Sequence, residues 1–267
     1  MAHTVTSLRI VANDPDGADG AELARAAAEE VVRLAGEAVA ARGRFTFVLS
    51  GGSTPRSLFT LLADPRESFR DRIAWNAVHV FWGDERCVPP DHPDSNYRMA
   101  RETLLDHVPI PAANVHRIAA ENPDAAAAAA LYDAELGAFF SLADGALPRF
   151  DLILLGLGPD GHTASLFPGN AAVHETEHRV IAPFVEKLNT HRITLTPPVL
   201  NHAAVVIFLV SGAEKIAALA AVVEGPRQID LYPAQIIQPE DGALVWLVDN
   251  AAAQGLTRQG RSTTSQP

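Results

Sequence analysis

The sequence predicts an α/β protein in which helices cover both faces of a mainly parallel β-sheet. Three observations favour this fold. Short apolar segments alternate with longer helical segments along most of the chain. The segment 152–155 is apolar at every position, as expected for a strand that is buried on both faces of a sheet. Glycine, proline and polar residues follow it at once, so the chain should leave the sheet there.

Seven apolar segments predict the strands of this sheet. The first alternates between apolar and polar residues, which is typical of an edge strand. Most of the others are short apolar runs that end at glycine, proline or a charged residue. In chain order the predicted strands are 4–12, 45–49, 78–82, 152–155, 192–196, 205–210 and 243–248.

Helices are predicted between these strands. Residues 18–41 and 123–142 are rich in alanine, the best helix former, and carry larger apolar side chains among the alanines. Pro55 fits the first position of a further helix, with Ser53 or Thr54 as its cap. Shorter helices are expected at about 95–106 and after Gly212.

Three segments lie outside the predicted helices and strands. Residues 88–96 are rich in turn residues, which excludes a regular element. Residues 170–190 show no clear period and allow no assignment. Residues 251–267 present no apolar face and are predicted to be a disordered tail. Because the sequence contains no linker and no repeat, residues 1–250 are predicted to form one domain.

The composition is that of an ordinary globular protein. Of 267 residues, 48% are hydrophobic and 20% are charged, enough for a sizeable core. The net charge of −11 argues against a broad surface for nucleic acid or for anionic membranes. A single cysteine, Cys87, excludes an intrachain disulfide. No apolar run resembles a signal peptide or reaches the ~20 residues of a membrane helix, so we expect a cytoplasmic protein.

A glycine-rich loop after the second predicted strand is a candidate anion site. The loop contains Gly51, Gly52, Ser53 and Thr54. Its N–H groups and hydroxyls would face one point at the positive end of a helix dipole, where a phosphate or carboxylate could bind. The loop lacks both the Walker A ending and the glycine spacing of a dinucleotide site. A tight turn without a ligand is the alternative interpretation.

Asp160 and His162 follow the strand 152–155 and are candidates for acid–base chemistry. Ligands of an open parallel sheet bind beyond the carboxyl ends of its strands. If this segment is extended, both side chains point to the same side, and the carboxylate can orient the imidazole of a general base. A structural histidine is the alternative. Base action requires neutral imidazole, so activity is expected to fall below about pH 6–7.

Several charged residues next to predicted strands are candidates for binding an anion. Asp84, Glu85 and Arg86 follow the third predicted strand. Arg86 could hold a phosphate, with the acids orienting it or facing a sugar, although a solvated loop is the alternative. Arg192 and Lys215 also lie beside predicted strands, and a protein of net charge −11 needs such local cations to bind an anion. Ordinary surface charge is the alternative for both.

Other catalytic motifs have little support in the sequence. There is no GxSxG nucleophile motif and no HExxH spacing, so neither a serine nucleophile nor a metal site is expected. Arg86 could lower the pKa of the neighbouring Cys87, but this cysteine has no assigned base partner. We therefore expect no metal and no cofactor.

Several segments, in order along residues 45–215, carry motifs that can be compared with those of known families. They read LSGGSTP (49–55), WGDERCVPPDHPDSNYRMA (82–100), LLGLGPDGHTASLFPG (154–169), RITLTPPVLNHA (192–203) and SGAEK (211–215). Together they resemble the 6-phosphogluconolactonase family, within the wider group that includes glucosamine-6-phosphate deaminases. The resemblance implies a Rossmann-like three-layer αβα domain of the deaminase and ribose-phosphate-isomerase type. It also implies hydrolysis of 6-phospho-D-glucono-1,5-lactone to 6-phospho-D-gluconate, the second step of the oxidative pentose phosphate pathway.

The resemblance also implies roles for individual residues. His162 matches the histidine proposed as the base that activates water, with Asp160 in the same motif. Asp84 matches an acid that transfers protons in the deaminase branch. The residues that match positions around the phosphate are Gly51, Gly52, Ser53, Thr54, Arg86, Arg192 and Lys215. Backbone N–H groups of the turn 156–161 are candidates to receive the developing oxyanion. The expected partner is the phosphosugar lactone, and the expected state is a monomer or a weak homodimer.

Two other functions stay open. The deaminase branch typically has an acid a few positions after its DGH motif, and DEY in place of DER. This chain reads Ser165-Leu166-Phe167-Pro168 and Asp84-Glu85-Arg86 at these places, and both differences favour the lactonase. A non-catalytic sugar-phosphate sensor would keep the phosphate loop but would not need Asp160 and His162.

Overall fold

The computed structural model describes residues 5–12 and 20–257. In chain order its strands are β1 (Val5–Val11), β2 (Phe45–Leu49), β3 (Val78–Trp82), β4 (Asp84–Arg86), β5 (Leu152–Gly156), β6 (Val180–Ile181), β7 (Phe184–Val185), β8 (Thr190–Leu195), β9 (Val205–Val210) and β10 (Ala243–Asp249). Its helices are α1 (Ala21–Arg42), α2 (Ser53–Ala63), α3 (Phe69–Arg72), α4 (Asn96–Thr103), α5 (Ala125–Phe140), α6 (Pro197–Asn201) and α7 (Ile216–Val223). None of the helices in these residues has the length and apolar character needed to span a membrane.

Six strands form a parallel sheet, which confirms the predicted α/β fold. Their order is β1-β10-β9-β5-β2-β3, and each neighbouring pair runs parallel. Every residue of β2 is buried, and so are residues 152–155 of β5. Because neighbouring side chains of a strand point to opposite faces, this burial shows that both faces of the sheet are covered.

The two long helices are confirmed, with ends that differ by up to three residues from the predicted ones. α1 ends at Gly43, whose left-handed backbone (φ 72°) lets its N–H donate to the Val39 carbonyl at 2.8 Å. α5 begins after Asp124, whose carboxylate accepts hydrogen bonds from the N–H groups of Ala126 and Ala127. These caps satisfy backbone groups that would otherwise lack partners at the helix ends.

The Asp151 carboxylate aligns the neighbouring strands β2 and β5. One of its oxygens accepts hydrogen bonds from the N–H and the hydroxyl of Thr46, both at 2.8 Å. Arg42 forms an ion pair with the other oxygen. These bonds lie directly before the register pair of Phe47 and Leu152. They therefore fix β2 against β5, the strands whose opposite ends carry the predicted site.

The strand order creates a crevice between β2 and β5. From β2 the chain proceeds to β3 in one direction across the sheet, whereas from β5 it proceeds to β9 and β10 in the other. Such a reversal leaves the carboxyl ends of two neighbouring strands open, and ligands of α/β proteins bind there. The glycine loop after β2 and the turn after β5 flank this crevice.

The predicted strand at 192–196 does not belong to the parallel sheet. Residues 192–195 lie in β8, which pairs antiparallel with β4, β6 and β7 in a small separate arrangement. Asp84–Arg86, which lies outside every predicted strand, forms β4. A strand of three residues is too short to show a period in the sequence, so it is defined by its partner. The pairing places Arg86 opposite Arg192.

The chain stays structured beyond residue 250. Ala252–Gly255 form a 3₁₀ helix, and Ala252, Ala253 and Leu256 are buried in the core. A disordered tail that starts at residue 251 is therefore wrong for this part of the chain, since so short an apolar segment shows no period. The predicted residues 4, 18, 19 and 258–267 lie outside the described part of the chain.

His79, at the edge of the sheet, lies beside a second histidine. His79 Nδ1 lies 3.2 Å from His116 Nε2, and His116 Nδ1 lies 2.8 Å from a carboxylate oxygen of Glu135. Burial lowers the pKa of His79, and the charges of His116 and Arg44 lower it further. The folded protein therefore binds a proton at His79 less readily than the unfolded chain does.

We expect the free energy of unfolding to decrease at acidic pH because of His79. The stabilising contribution of neutral His79 is complete above the pKa of an unfolded histidine, about 6.5. It is lost as the pH falls through the lower pKa that His79 has in the folded protein. One proton contributes a slope of at most about 1.4 kcal/mol per pH unit. His79→Phe should flatten the stability curve, measured by urea unfolding between about pH 5 and 7. Parallel curves for parent and variant would contradict this assignment.

Candidate active site

The turn that carries Asp160 and His162 is built around glycines. The chain leaves β5 at Gly156 and reverses through Gly158 and Gly161, and Gly161 has a left-handed backbone (φ 80°). The Gly158 N–H donates to the His162 carbonyl at 2.8 Å, and the Gly161 N–H donates to the Gly158 carbonyl at 3.0 Å. A residue with a side chain at Gly158 would place its Cβ 2.0 Å from His162 Nδ1. The tight turn therefore requires glycine at that position.

Asp160 and His162 form a hydrogen bond, although the segment is a turn and does not meet the condition of an extended chain on which their shared orientation was argued. Asp160 Oδ1 lies 2.5 Å from His162 Nδ1. The positive φ of Gly161 folds the chain back and brings the two side chains together. The His162 side chain is 27% exposed, so water can reach the ring. With Nδ1–H donating to the carboxylate, Nε2 is left to accept a proton.

Lys187 and Phe167 complete the surroundings of this pair, and neither was predicted as a site residue. The Lys187 ammonium group forms an ion pair with the second carboxylate oxygen of Asp160. It also lies 4.5 Å from the centre of the Phe167 ring, and that ring lies 4.3 Å from the His162 ring. Lys187 belongs to the segment 170–190, which shows no period in the sequence.

These neighbours keep Asp160 ionised. Partial burial raises the pKa of the carboxyl, but the hydrogen bonds from Lys187 and His162 outweigh burial and lower the pKa to about 2. The carboxylate is therefore negative throughout the neutral pH range. It can hold the ring in one orientation and stabilise a positive charge on it.

Hydrogen bonds connect Asp84 in β4 with the start of α4 and with the loop that follows His162. One carboxylate oxygen accepts from the Ser165 hydroxyl at 2.7 Å, in the loop that follows His162. Asn96 Nδ2 donates to the Asp84 carbonyl at 2.9 Å and lies 3.4 Å from the other carboxylate oxygen. Asn96 Oδ1 packs against Gly51, where a Cβ would lie only 1.9 Å from it. Asp84 and Asn96 thus connect the glycine loop with the loop that carries His162.

The loop after the turn contains a strained residue. Ala164 has φ 46°, a left-handed conformation that costs a residue with a side chain about 1 kcal/mol. Its neighbours hold it there, since the Thr163 hydroxyl donates to the Gly156 carbonyl and the Ser165 hydroxyl donates to Asp84. Such strain is concentrated at functional sites.

Glu85 caps helix α4 and does not orient the side chain of Arg86. Its carboxylate accepts hydrogen bonds from the N–H groups of Asn96 and Tyr97, both at 2.8 Å. Burial raises the pKa of Glu85, and these N–H donors oppose the rise. The Arg86 guanidinium donates instead to the Asp94 carbonyl at 2.5 Å. The prediction that the acids beside Arg86 orient its guanidinium is therefore wrong for Glu85.

β4 and β8 place two arginines on the face that meets the loop containing Ser165. In the antiparallel register Arg86 lies opposite Arg192, and Asp84 lies opposite Thr194. Opposite residues, and residues two apart in a strand, share one face. Ser165 contacts this face through Asp84 and through Thr194, whose Oγ1 lies 3.3 Å from the Ser165 nitrogen. The arginines follow about 7 Å further along the same face, the length of two strand residues.

Arg86 and Arg192 carry like charges that repel each other, a repulsion that the nearby charges of Asp84 and Glu85 oppose. Burial lowers the pKa of Arg192, and the positive charge of Arg86 lowers it further. In the part of the chain that the structure describes, no carboxylate lies within ion-pair distance of either guanidinium group. Like charges directly opposite each other destabilise a sheet. An anion between the two groups would remove this repulsion, which makes the pair a candidate phosphate site.

The glycine loop offers free donors, but its helix begins earlier than predicted. α2 starts at Ser53, after Gly52 (φ 107°), so neither Ser53 nor Thr54 caps the helix with its side chain. Pro55 is tolerated throughout the first turn and does not mark its first residue. Within the described residues, the N–H groups of Ser53 and Thr54 have no acceptor. Free N–H groups at a helix N-terminus favour an anion.

The sequence of this chain matches that of a known protein family. The family described as Glucosamine-6-phosphate isomerases/6-phosphogluconolactonase matches residues 18–246. A 6-phosphogluconolactonase of Synechocystis sp. is 46% identical over 220 residues, which cover 82% of this chain and 88% of that protein. The chain belongs to this family.

Solved structures show the same fold. The 6-phosphogluconolactonase of Trypanosoma brucei is 29% identical and has a TM-score of 0.80, with 95% of this chain and 100% of that chain covered. A monomeric glucosamine-6-phosphate deaminase is 17% identical and has a TM-score of 0.74, with 95% and 100% covered. The second likeness shows the fold alone. Both branches of the glucosamine-6-phosphate isomerase/6-phosphogluconolactonase family therefore share this architecture.

Lys215 stands apart from the other predicted residues of this family member. It follows β9 at the carboxyl edge, and its ammonium group lies 3.7 Å from a carboxylate oxygen of Glu214. Asp249 holds the preceding loop by accepting a hydrogen bond from the Gly212 N–H at 3.1 Å. Across the described residues, no hydrogen bond or ion pair joins Lys215 to the arginine pair or to the turn after β5. Its role at the phosphate stays a prediction.

Two of the predicted oxyanion donors are already used. The N–H groups of Gly158 and Gly161 both donate within the turn, so they are not available to a substrate. Burial raises the pKa of the Cys87 thiol, which makes it a poor nucleophile. Over residues 5–12 and 20–257, no three His, Cys, Asp or Glu side chains are grouped so as to hold a metal ion. The groups that remain available to a substrate are the His162 imidazole held by Asp160, the guanidinium groups of Arg86 and Arg192, and the free N–H groups at the start of α2.

Adding a methyl group at Gly158 should inactivate the enzyme, whereas adding one at Gly156 should not. An alanine Cβ at position 158 would lie 2.0 Å from His162 Nδ1 and 2.7 Å from Asp160 Oδ1, so the pair must separate. We expect Gly158→Ala to lower kcat by about 10²-fold or more, as for loss of a general base. Gly156→Ala is the matched control, because no atom lies within 4 Å of its new Cβ. Equal kcat values for the two variants would contradict the geometry.

Proposed function

We propose that the chain hydrolyses 6-phospho-D-glucono-1,5-lactone to 6-phospho-D-gluconate, in the oxidative pentose phosphate pathway. One observation carries the proposal: the paired Asp160 and His162 lie on a loop that also contacts the face bearing Arg86 and Arg192. A base and an anion site at one crevice suit an ester that carries a phosphate at its far end. Relatives that are 46% identical to this chain carry the name of the same activity.

The phosphate of the lactone lies, in this proposal, between the arginine pair and the start of α2. Arg86 and Arg192 hold its oxygens by charge-assisted hydrogen bonds. The free N–H groups of Ser53 and Thr54 add donors at the positive end of the helix dipole. Lys215 joins them if its side chain turns away from Glu214. Binding at the far end of the substrate then places the carbonyl carbon beside the base.

His162 acts as the general base on water. Its Nδ1 is held by Asp160, so Nε2 takes a proton from water while the water oxygen attacks the carbonyl carbon. The tetrahedral intermediate then breaks the bond between this carbon and the ring oxygen. The imidazolium returns the proton to that oxygen, which becomes a hydroxyl group. Asp160 stabilises the imidazolium and stays ionised throughout.

The chemistry requires only modest acceleration. A δ-lactone is an activated ester that already opens slowly in water, and a positioned general base contributes about 10²–10⁴-fold. Asp84 holds the loop that carries the base through its hydrogen bond with Ser165, and takes no proton in this scheme. The proposal includes no metal and no other cofactor.

A lactonase assay tests the proposal. Freshly generated 6-phosphogluconolactone should release acid at a rate proportional to the protein concentration, after correction for spontaneous hydrolysis. Ammonia release from glucosamine 6-phosphate would instead identify the deaminase reaction. Saturable binding of 6-phosphogluconate without hydrolysis above background would identify a sensor. Either of these results would replace the proposed activity.

The composition supports a proposal for the cellular compartment of the enzyme and for the class of its partner. A single cysteine and a net charge of −11 fit a cytoplasmic enzyme whose partner is a small anionic substrate and neither nucleic acid nor a membrane. The active form is proposed to be a monomer or a weak homodimer. Sedimentation at several protein concentrations would test this state.

A further inference from the structure

Lys187 contacts the catalytic pair from a different part of the fold. It lies in the 3₁₀ helix Glu186–Leu188, between β7 and β8, and forms an ion pair with Asp160 Oδ2. The other oxygen of the same carboxylate, Oδ1, receives the hydrogen bond from His162 Nδ1. Asp160 is therefore shared between an ammonium group and an imidazole, one on each oxygen.

The ring of Phe167 fixes the position of this ammonium group. The Lys187 nitrogen lies 4.5 Å from the centre of the ring, where the face of the aromatic system attracts a cation. The same ring packs against His162 at 4.3 Å between centres. Phe167 thus contacts both of the groups that bind Asp160.

We propose that Lys187 is a positioning residue for the base. Its ammonium group occupies one oxygen of Asp160, leaves the other to the His162 ring, and so fixes the ring's tautomer and limits its affinity for a proton. This inference rests on the proposed role of His162 as the base that activates water.

A carboxylate divides its negative charge between its two oxygens. With a cation on Oδ2, less negative charge is available at Oδ1 to stabilise an imidazolium. Without that cation, the full charge of Asp160 acts on His162 and favours the protonated ring. A protonated ring cannot take a proton from water, so removing Lys187 should extend the inactive range to higher pH.

Other titratable groups near the pair do not replace this cation. Tyr232, from the segment after α7, packs on Gly161, where a Cβ would lie 2.8 Å from its ring. A phenol carries no positive charge in either protonation state. Among the described residues, the carboxylate of Asp160 therefore has Lys187 as its only cationic partner other than His162 itself.

A lysine at position 187 suits this role better than an arginine would. The chain contains two lysines, Lys187 and Lys215, and its other basic residues are arginine and histidine. An ammonium group is a compact point charge that suits a single carboxylate oxygen, whereas a guanidinium group tends to bind both. Lysine is thus the side chain that satisfies Oδ2 and leaves Oδ1 to the imidazole.

The test compares the pH profiles of kcat/KM for the parent, Lys187→Met and Lys187→Arg. Lys187→Met should move the midpoint of the acid limb to higher pH by roughly half a unit or more. Lys187→Arg keeps the positive charge and should not raise the midpoint, but its guanidinium should compete with the His162 ring for Asp160 Oδ1 and so lower kcat. Arg66→Met is the matched control, since it removes the cation of an exposed pair with Asp64 and should leave the midpoint unchanged.

An NMR titration of the His162 ring provides a readout that does not depend on activity. An upward shift of its midpoint in Lys187→Met supports the proposal even if the parent shows no lactonase activity, in which case only the proposed function fails. Unchanged midpoints in both measurements, with a melting temperature equal to that of the parent, would overturn it. Lys187→Gln replaces Lys187→Met if the latter does not fold.

Discussion

Replacing His162 with alanine should lower kcat for 6-phosphogluconolactone by at least about 10²-fold. The ring would be lost together with the nitrogen that takes the proton from water, while the arginines and the glycine loop stay in place. Binding of 6-phosphogluconate, measured by calorimetry, should therefore be largely kept. The acid limb of the pH profile, which is assigned to protonation of this ring, should disappear from the residual activity.

The chain offers a matched control for this variant. His174 Nε2 lies 2.6 Å from a carboxylate oxygen of Asp230, so it forms a histidine–aspartate pair of the same kind on the exposed surface. His174→Ala should keep the parent kcat and the parent pH profile. If His162→Ala hydrolyses the lactone as fast as His174→Ala, His162 is not the base.

Replacing Arg192 with methionine should weaken substrate binding and leave the fold intact. A hydrogen bond to a charged group contributes about 1.5–3 kcal/mol, which corresponds to a KM about 10- to 100-fold higher. The effect should be specific to the phosphate. The unphosphorylated δ-gluconolactone should therefore show the same kcat/KM with the parent and with Arg192→Met, while the phosphorylated lactone loses its advantage.

The free energy of unfolding of Arg192→Met should not decrease, although its substrate binding weakens. Arg192 is half-buried and lies directly opposite Arg86, so its removal relieves a repulsion between like charges. We expect the free energy of unfolding to stay equal or to rise by up to about 1 kcal/mol. Arg149→Met is the control for loss of an arginine, since Arg149 precedes β5 at the opposite edge of the sheet and donates to backbone carbonyls. A KM for the phosphorylated lactone that is equal in Arg192→Met and Arg149→Met would place the phosphate elsewhere.

The parallel sheet and the long helices could be predicted because their signals are local. The segment 152–155 is apolar at every position, and burial on both faces requires this. α1 and α5 contain enough consecutive alanine and larger apolar residues to show a helix without knowledge of what they contact. The turn with Gly158 and Gly161 was also evident, since glycines directly after a strand indicate a sharp reversal.

The small antiparallel sheet could not be predicted from local patterns. β4 has three residues, and its pairing with β8 joins segments more than a hundred positions apart, since Asp84 pairs with Thr194. Tertiary contacts of this kind override local preferences. The consequence for function is large, because this pairing brings Arg86 and Arg192 together.

Site residues that lie close together in the sequence could be predicted, whereas those that only the fold brings together could not. Asp160 and His162 are two positions apart, so one motif contains both. Lys187 lies 27 positions after Asp160, in a segment without a period, and only the fold brings it to the carboxylate. Its one local signal is that lysine is rare in this chain. Asn96, which links Asp84 to the glycine loop, belongs to a turn-rich segment in which no local pattern distinguishes it as a site residue.

The most direct measurement is a crystal structure of the protein with 6-phosphogluconate bound. The proposed arrangement predicts the phosphate against Arg86 and Arg192 near the start of α2, and the carboxylate of the product within hydrogen-bond distance of His162 Nε2. A phosphate bound away from both arginines, or a sugar carboxylate that does not reach the His162 ring, would contradict it.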